Sequence, residues 1–133
     1  MDQIIDSCIW VDHLRTTTKA PLRFLANEII SRPSVAICAP IHFELLRLIP
    51  QEARKRVEDI LAIIPMLLTP AGLWHQATRN GQRCRDKGIQ TGAMDLLIAT
   101  ICQHHQATLV TFDTTFEKMA KVFQFNVEVI EKY

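Results

Sequence analysis

The chain alternates between short aliphatic runs and longer segments with helical periodicity, and this alternation constrains its fold more than any other feature. Alternating strands and helices are typical of a parallel sheet, because helical crossovers return the chain to the same end of the sheet and cover both of its faces. Strands are predicted at residues 3–5, 35–38, 66–68, 108–111 and 127–129. The sequence thus predicts an α/β fold with three layers, α/β/α, around a central parallel sheet of about four to five strands.

Helices are predicted between these strands. Their ranges are residues 8–14, 20–30, 40–49, 51–63, 71–87, 94–105 and 114–122. Pro40 fits the first turn of its helix, where a missing amide hydrogen costs little, and Gly88 is placed to cap the end of the longest helix. Thr114 and Glu117 have the spacing of a capping box, which predicts that the preceding Asp113 is free for another role.

Length and composition fit one small domain, residues 1–133. A chain of this length can bury about two-thirds of its unfolded surface, so it needs no disulfide or structural metal to fold. Trp10 and Trp74 are expected in the core, and the uncharged stretch over residues 60–78 is too interrupted to cross a membrane. The cysteines form no CxxC pair, and we expect buried, reduced thiols in a soluble, cytoplasmic protein. They are Cys8, Cys38, Cys84 and Cys102.

The charge of the chain is nearly balanced. A net charge of +1 argues against binding to nucleic acid by bulk charge alone, although local basic segments remain. Runs such as residues 54–56 are usually solvated helix faces. Arg15, Arg83 and Arg85 are candidates for contacts with phosphate groups.

Four acids are placed where a parallel sheet collects functional groups. Asp6 and Asp113 each follow a predicted strand, and the carboxyl ends of such strands lie along one edge of the sheet. Glu44 and Asp95 lie in predicted helices at the margin of an apolar face, where a carboxylate is costly unless its charge is compensated. Each acid alone also has a structural interpretation, as a turn or helix-cap residue.

If the four acids converge, they either acquire raised pKa values or require cations. Hard oxygen ligands without His or Cys favour Mg²⁺ or Mn²⁺ over Zn²⁺. Such ions can activate water and stabilise both oxygens of an in-line phosphodiester displacement. The pattern alone leaves the convergence itself open.

Four segments carry a resemblance to a known family. Residues 4–12 read IIDSCIWVD, residues 41–46 IHFELL, residues 94–99 MDLLIA and residues 109–116 LVTFDTTF. In this order and spacing, across the whole chain, they resemble the motif blocks of PIN domains. The third block, similar to the family pattern D-x-L-I-A, is the most specific. The length and end-to-end coverage resemble the VapC-type toxins.

This resemblance implies a PIN-like fold and a metal-dependent endoribonuclease that uses Mg²⁺ or Mn²⁺ and leaves a 5′-phosphate on the cleaved RNA. The four acids would be metal ligands, with Ser7 and Thr111 as supporting polar residues. A homodimer and a cognate antitoxin, whose C-terminal segment covers the site, are also implied. Two positions depart from the family pattern: Thr115 stands where many relatives have a second acid, and Phe112 stands where an arginine is often found.

Other classes of α/β protein fit less well. A receiver-type domain needs an acidic pair after the first strand, a haloacid-type phosphatase needs a DxD motif, and a dinucleotide-binding module needs GxGxxG; the sequence has none of these. Two alternatives remain open. One is a PIN fold that serves as a non-catalytic protein-binding module, and the other is an RNA-processing PIN nuclease without an antitoxin.

Overall fold

The computed structural model describes residues 1–15 and 17–132. The strands within these residues are β1 (Gln3–Ile5), β2 (Val35–Ala36), β3 (Thr108–Thr111) and β4 (Asn126–Val129). They form one parallel sheet of four strands, in the order β2-β1-β3-β4. The predicted α/β architecture with a central parallel sheet is confirmed, and the number of strands falls at the lower end of the expected range.

Helices connect these strands and cover the sheet. Along the described residues they are α1 (Ser7–Leu14), α2 (Ala20–Ile30), α3 (Ala39–Arg47), α4 (Arg54–Ala62), α5 (Leu73–Asp86), α6 (Ala93–His105) and α7 (Thr115–Val122). Each corresponds to one predicted helix. The largest difference concerns the helix predicted over residues 51–63, where Gln51–Ala53 forms a 3₁₀ turn before α4 begins. Pro50 precedes this turn with φ −57° and ψ 147°, outside the helical region.

The strand predicted at residues 66–68 is wrong. This segment contributes a single parallel bridge between Met66 and Ile37. Ile37 donates its amide hydrogen to the carbonyl of Pro65 and accepts one from Leu67, at 2.8 and 2.9 Å. β2 is also shorter than predicted, because Cys38 is already the residue that precedes α3, so the ladder has no room to extend.

The two tryptophans differ in environment. Trp10 is fully buried, as predicted, but Trp74 is 72% exposed and its assignment to the core is wrong. The buried positions of α5 are Leu73, Ala77, Asn80 and Cys84. This helical spacing turns Trp74 toward solvent, since it lies about 100° from Leu73 around the axis.

The core lies between the sheet and the helices. The central strands contribute Ile4, Ile5, Leu109 and Val110, all fully buried. The cysteines are free, and three of them are buried while Cys8 is half-buried. None of the helices in residues 1–15 and 17–132 combines the length and apolar character that a membrane span requires.

The direction of the strands positions the polar residues. All four strands run parallel, so their carboxyl ends lie at one edge of the sheet. β1 ends at Ile5 and β3, its neighbour, ends at Thr111. The loops that follow these two central strands therefore emerge side by side, as the sequence predicts.

Candidate active site

Asp6 is the most firmly held of the four acids. It follows β1, is 6% exposed, and donates its own amide hydrogen to the carbonyl of Val110 on the neighbouring strand, at 2.9 Å. Its Oδ1 accepts the amide hydrogen of Ser7 at 2.8 Å and its Oδ2 accepts the hydroxyl of Thr111 at 2.7 Å. Burial raises the pKa of Asp6, and these hydrogen bonds partly oppose that rise.

Thr111 links the ends of the two central strands. Its hydroxyl donates to Asp6 Oδ2 and accepts the amide hydrogen of Asp113 at 3.0 Å. One oxygen thus fixes the side chain of one acid and the backbone of another. The supporting positions expected for Ser7 and Thr111 correspond to these contacts.

Asp113 is exposed and caps a helix. Its Oδ1 accepts the amide hydrogen of Thr115 at 2.9 Å. The predicted capping box is wrong, because Thr114 already has helical backbone angles (φ −68°, ψ −16°) and its side chain makes no capping hydrogen bond. Asp113 therefore has one hydrogen bond from the backbone, and its two oxygens keep lone pairs for another partner.

Glu44 brings an unsatisfied oxygen into the site. It lies in α3 and is half-buried, and its Oε1 is buried without a hydrogen-bond partner among the described residues. Burial raises the pKa of Glu44, and the negative charge of Asp6 raises it further, while the Ser7 hydroxyl and Arg47 act in the opposite direction. A buried carboxylate oxygen without a partner is costly, which favours a cation or a donor from a ligand at this point.

Asp95 lies in the first turn of α6, and the charges of the other three acids act on its carboxylate. Burial, followed by the charges of Asp6, Asp113 and Glu44, raises its pKa to about 6. The four predicted acids therefore lie near enough for the charges of the other three to act on Asp95.

Among residues 1–15 and 17–132, no ion pair joins this cluster to a basic side chain. The ion pairs there join Arg32 to Glu128, Lys55 to Asp59 and Lys132 to Asp12. The charge of Arg47 acts on Glu44 without forming an ion pair with it, so the negative charge of the cluster is balanced only in part.

The donor set fits a hard divalent cation by its chemistry. All four side chains offer carboxylate oxygens, which Mg²⁺ and Mn²⁺ prefer, and Glu44 Oε1 has no other partner. In the part of the chain that the structure describes, no three His, Cys, Asp or Glu side chains are spaced to hold an ion as they stand. Binding would therefore require the carboxylates to draw closer, against their mutual repulsion.

The sequence did not predict that the thiol of Cys8 lies beside Asp6 and Thr111. Its Sγ lies 3.6 Å from Asp6 Oδ2 and 4.0 Å from Thr111 Oγ1. Burial, and then the charge of Asp6, raises the pKa of Cys8 to about 11, so the group is a neutral thiol at neutral pH rather than a thiolate ligand. The position of Asp6 as the N-cap of α1 could have predicted this contact, because a capping side chain lies beside the first residues of its helix.

The three candidate arginines are spread over the surface. Arg15 shares a groove of about 450 Å³ with Glu44. Arg85 lines a different cavity, together with Leu96, the neighbour of Asp95. Arg83 donates a hydrogen bond to the carbonyl of Val122, at the end of α7. Only Arg15 shares a described cavity with one of the acids, and the contacts of all three with RNA stay predictions.

Known sequences and structures are similar to this chain over most of its length. The model of the PIN domain family matches residues 4–122. VapC ribonuclease Mb1587 of Mycobacterium bovis and ribonuclease VapC11 of Mycobacterium tuberculosis are each 27% identical over 131 residues, which cover 90% of this chain and 92% of theirs.

Two solved structures illustrate the likeness in fold. VapBC2 from Rickettsia felis, bound to a DNA fragment from its promoter, gives a TM-score of 0.77 at 19% identity, covering 98% of this chain and 100% of that one. DNA-bound VapBC from Salmonella typhimurium gives 0.72 at 19% identity, with coverage of 97% and 98%.

Proposed function

The chain belongs to the PIN domain family, and we propose that it is a metal-dependent endoribonuclease and the toxin of a toxin–antitoxin module. One observation carries the proposal: burial and then the charges of the other three acids raise the pKa of Asp95, while Glu44 Oε1 is buried without a partner among the described residues. A compact domain gains no stability from this arrangement, so it is best explained by a ligand that is a cation.

The residues that would hold the cation are Asp6, Glu44, Asp95 and Asp113, and the cation would be Mg²⁺ or Mn²⁺. When bound, such an ion supplies a water of lowered pKa and positive charge for the oxygens of a phosphodiester. Thr111 and the Ser7 amide hold Asp6 in one orientation, and the Thr115 amide holds Asp113. These contacts fix the orientation of Asp6 and Asp113, and binding of the ion would still require the carboxylates to draw closer.

RNA is the proposed substrate. The relatives named as ribonucleases are similar to this chain over almost their whole length. This chain also has an acid in each of the four motif blocks that resemble the family. A protein-binding module has no need of four clustered acids, which favours the enzyme over that alternative. A cytoplasmic location, where RNA is available, belongs to the same proposal.

A cognate antitoxin and a second copy of the chain are the proposed protein partners. Solved relatives include a toxin–antitoxin complex from Klebsiella pneumoniae, with a TM-score of 0.70. The groove that contains Arg15 and Glu44 is walled by apolar side chains of α1, α3 and α4, such as Leu14, Leu45 and Val57. A bound antitoxin segment that fills this groove would lie beside Glu44 and shield the acids.

Cleavage of RNA by the purified chain tests the activity. Total bacterial RNA would be incubated with the wild type and with Asp95→Asn, each with EDTA, Mg²⁺ or Mn²⁺, and 5′-phosphate ends would be mapped. We expect discrete cuts from the wild type only when the metal is present, and none from the variant. Thermal melting of both proteins checks that the variant is folded.

Two outcomes would contradict parts of the proposal. Equal cleavage by the two proteins would remove Asp95 from the reaction, and cleavage in EDTA would remove the metal. Metal-dependent cleavage without growth arrest on induced expression in a bacterial host would favour an RNA-processing nuclease over a toxin.

A further inference from the structure

A second charged surface lies outside the carboxylate cluster. A cleft of about 550 Å³ separates the last turns of α5 from α7. Two cations line it from each side: Arg83 and Lys87 from α5, and Lys118 and Lys121 from α7. Its apolar floor is formed by Ile89 and Val122. We call this surface the basic cleft.

The basic cleft carries four cations and one acid, and among the described residues none of the cations forms an ion pair. All four are exposed, and the ion pairs of residues 1–15 and 17–132 include none of them. Asp86, the one acid that lines the cleft among these residues, makes no ion pair either. Arg83 donates one hydrogen bond to Val122, which ties α5 to the end of α7 and leaves the charge in place.

The basic run on α4 shows a different pattern. There Lys55 pairs with Asp59 at 2.8 Å, and Arg56 donates to the carbonyl of Leu14 at 3.5 Å. In the α4 run, therefore, one of three cations forms an ion pair, whereas none of the four cations of the basic cleft does so within the described residues. Clustered cations without acidic partners attract a polyanion, and the basic cleft has this property.

The basic cleft also lies next to the carboxylates along α7. This helix begins at Thr115, two residues after Asp113. Lys118 and Lys121, three residues apart, project from the same side. At 1.5 Å per residue they lie about 4.5 and 9 Å along the axis from Thr115. A chain of phosphates can therefore pass from the acids to these two amines within roughly two helical turns.

We propose that the basic cleft binds the sugar–phosphate backbone of the RNA next to the bond that is cleaved. The proposal rests on the proposed ribonuclease function and adds a place for substrate binding to it. Four carboxylates repel a polyanion, so affinity has to come from cations nearby. Lysine and arginine bind phosphate oxygens without reading the bases, and the long lysine side chains can follow a flexible strand.

Equilibrium binding by an inactive parent tests this directly. The parent is full-length Asp95→Asn, which leaves the RNA intact, and the probe is a fluorescein-labelled single-stranded RNA of about 16 nucleotides. In this parent, Lys118→Gln/Lys121→Gln removes two charges from the cleft. Arg54→Gln/Lys55→Gln removes two charges from α4 and serves as the matched control.

We expect the cleft variant to bind RNA about tenfold more weakly and the slope of log Kd against log salt to fall by about 1.4, since each phosphate contact on a single strand contributes about 0.7. The control variant should match the parent in both quantities. All three proteins should melt within about 2 °C of one another, because the changed side chains are exposed.

Several results would overturn the proposal. They are an unchanged Kd and slope in the cleft variant, equal weakening in the control, or no measurable RNA binding by the parent. Displacement of the RNA by polyglutamate at equal charge concentration would assign the cleft to an acidic protein partner instead. If the wild type cleaves RNA and the cleft variant binds it normally, only this proposal fails. If the cleft variant loses RNA binding but the wild type never cleaves, only the proposed function fails.

Discussion

The carboxylates of this molecule differ in whether a cation is paired with them. Glu128, on the edge strand β4, accepts two hydrogen bonds from the guanidinium of Arg32, at 3.0 and 3.1 Å, and Arg32 also donates to Gln3. At the carboxyl end of the sheet, Glu44 keeps one oxygen without a partner among the described residues, and burial together with the charges of the other acids raises the pKa of Asp95 to about 6.

This difference separates structural charge from charge reserved for a ligand. In a bidentate ion pair at the surface, both charges are already paired, and such pairs contribute only about 0–1 kcal/mol to the free energy of unfolding. Half-buried acids without counter-charge cost free energy in the unliganded protein. A chain that retains this cost at one edge of its sheet, where several acids raise one another's pKa values, marks that edge as the functional one.

The sharpest test of the comparison exchanges one carboxylate for an amide in each group. Glu44→Gln should lower metal-dependent RNA cleavage about 100-fold or more, because even the loss of a group that only supports a metal ligand costs about 10–100-fold. Glu128→Gln, the same chemical change, should leave cleavage within about twofold, since its carboxylate lies in an ion pair away from the cluster. Initial cleavage rates at saturating Mg²⁺ measure both. Similar losses in the two variants would show that the carboxyl end of the sheet has no special role.

The sequence predicts which four acids form the carboxylate cluster better than it predicts how their side chains are arranged. Asp6 and Asp113 were predictable because strand ends in a parallel sheet share an edge, and the strands at residues 3–5 and 108–111 have the predicted bounds. Glu44 and Asp95 lie in helices, and their approach to Asp6 depends on how α3 and α6 pack. That packing is tertiary, so periodicity within one helix does not specify it.

The errors have local physical causes. Residues 113 and 114 can both cap a helix, and only the backbone angles decide that Asp113 does so. The apolar run at residues 66–68 follows Pro65 and is too short for its pattern to distinguish a strand from a single bridge. Trp74 is large and apolar, but its position on α5 faces solvent. Size and hydrophobicity alone do not set burial.

The next test removes the support of a single acid. Thr111→Val deletes the hydroxyl that donates to Asp6 Oδ2 and accepts from the Asp113 amide. We expect cleavage to fall about tenfold and the free energy of unfolding to fall by about 1–3 kcal/mol, because a buried carboxylate oxygen loses its donor. Urea denaturation and cleavage rates measure the two effects. Thr111→Ser keeps the hydroxyl and should retain most of the activity; an equally inactive Ser variant would argue against this hydrogen-bond role.

A pH series tests the cost of the uncompensated charge. The folded pKa of Asp95 is about 6, against 3.8 as its ordinary value, so between these pH values the folded state binds more protons than the unfolded state. Stability of the metal-free protein should therefore fall as the pH rises from 3.8 to about 6. Asp95→Asn removes this penalty and should be the more stable protein at neutral pH in EDTA, with the difference vanishing below pH 3.8. Melting curves that run parallel across this range would contradict the assignment.

The smallest expected effect concerns the satisfied carboxylate. Glu128→Gln should lower the free energy of unfolding by about 0.5 kcal/mol and by no more than about 1 kcal/mol, since both partners are partly exposed, at 31% and 45%, and the pair is screened by salt. Urea midpoints at low and high salt measure the change, and the difference between wild type and variant should shrink as salt increases. A salt-independent loss as large as that of Thr111→Val would mean that the Arg32–Glu128 pair holds β4 against the sheet. The surface pair would then be a structural requirement of the fold, and the contrast with the carboxylate cluster would rest on the cleavage data alone.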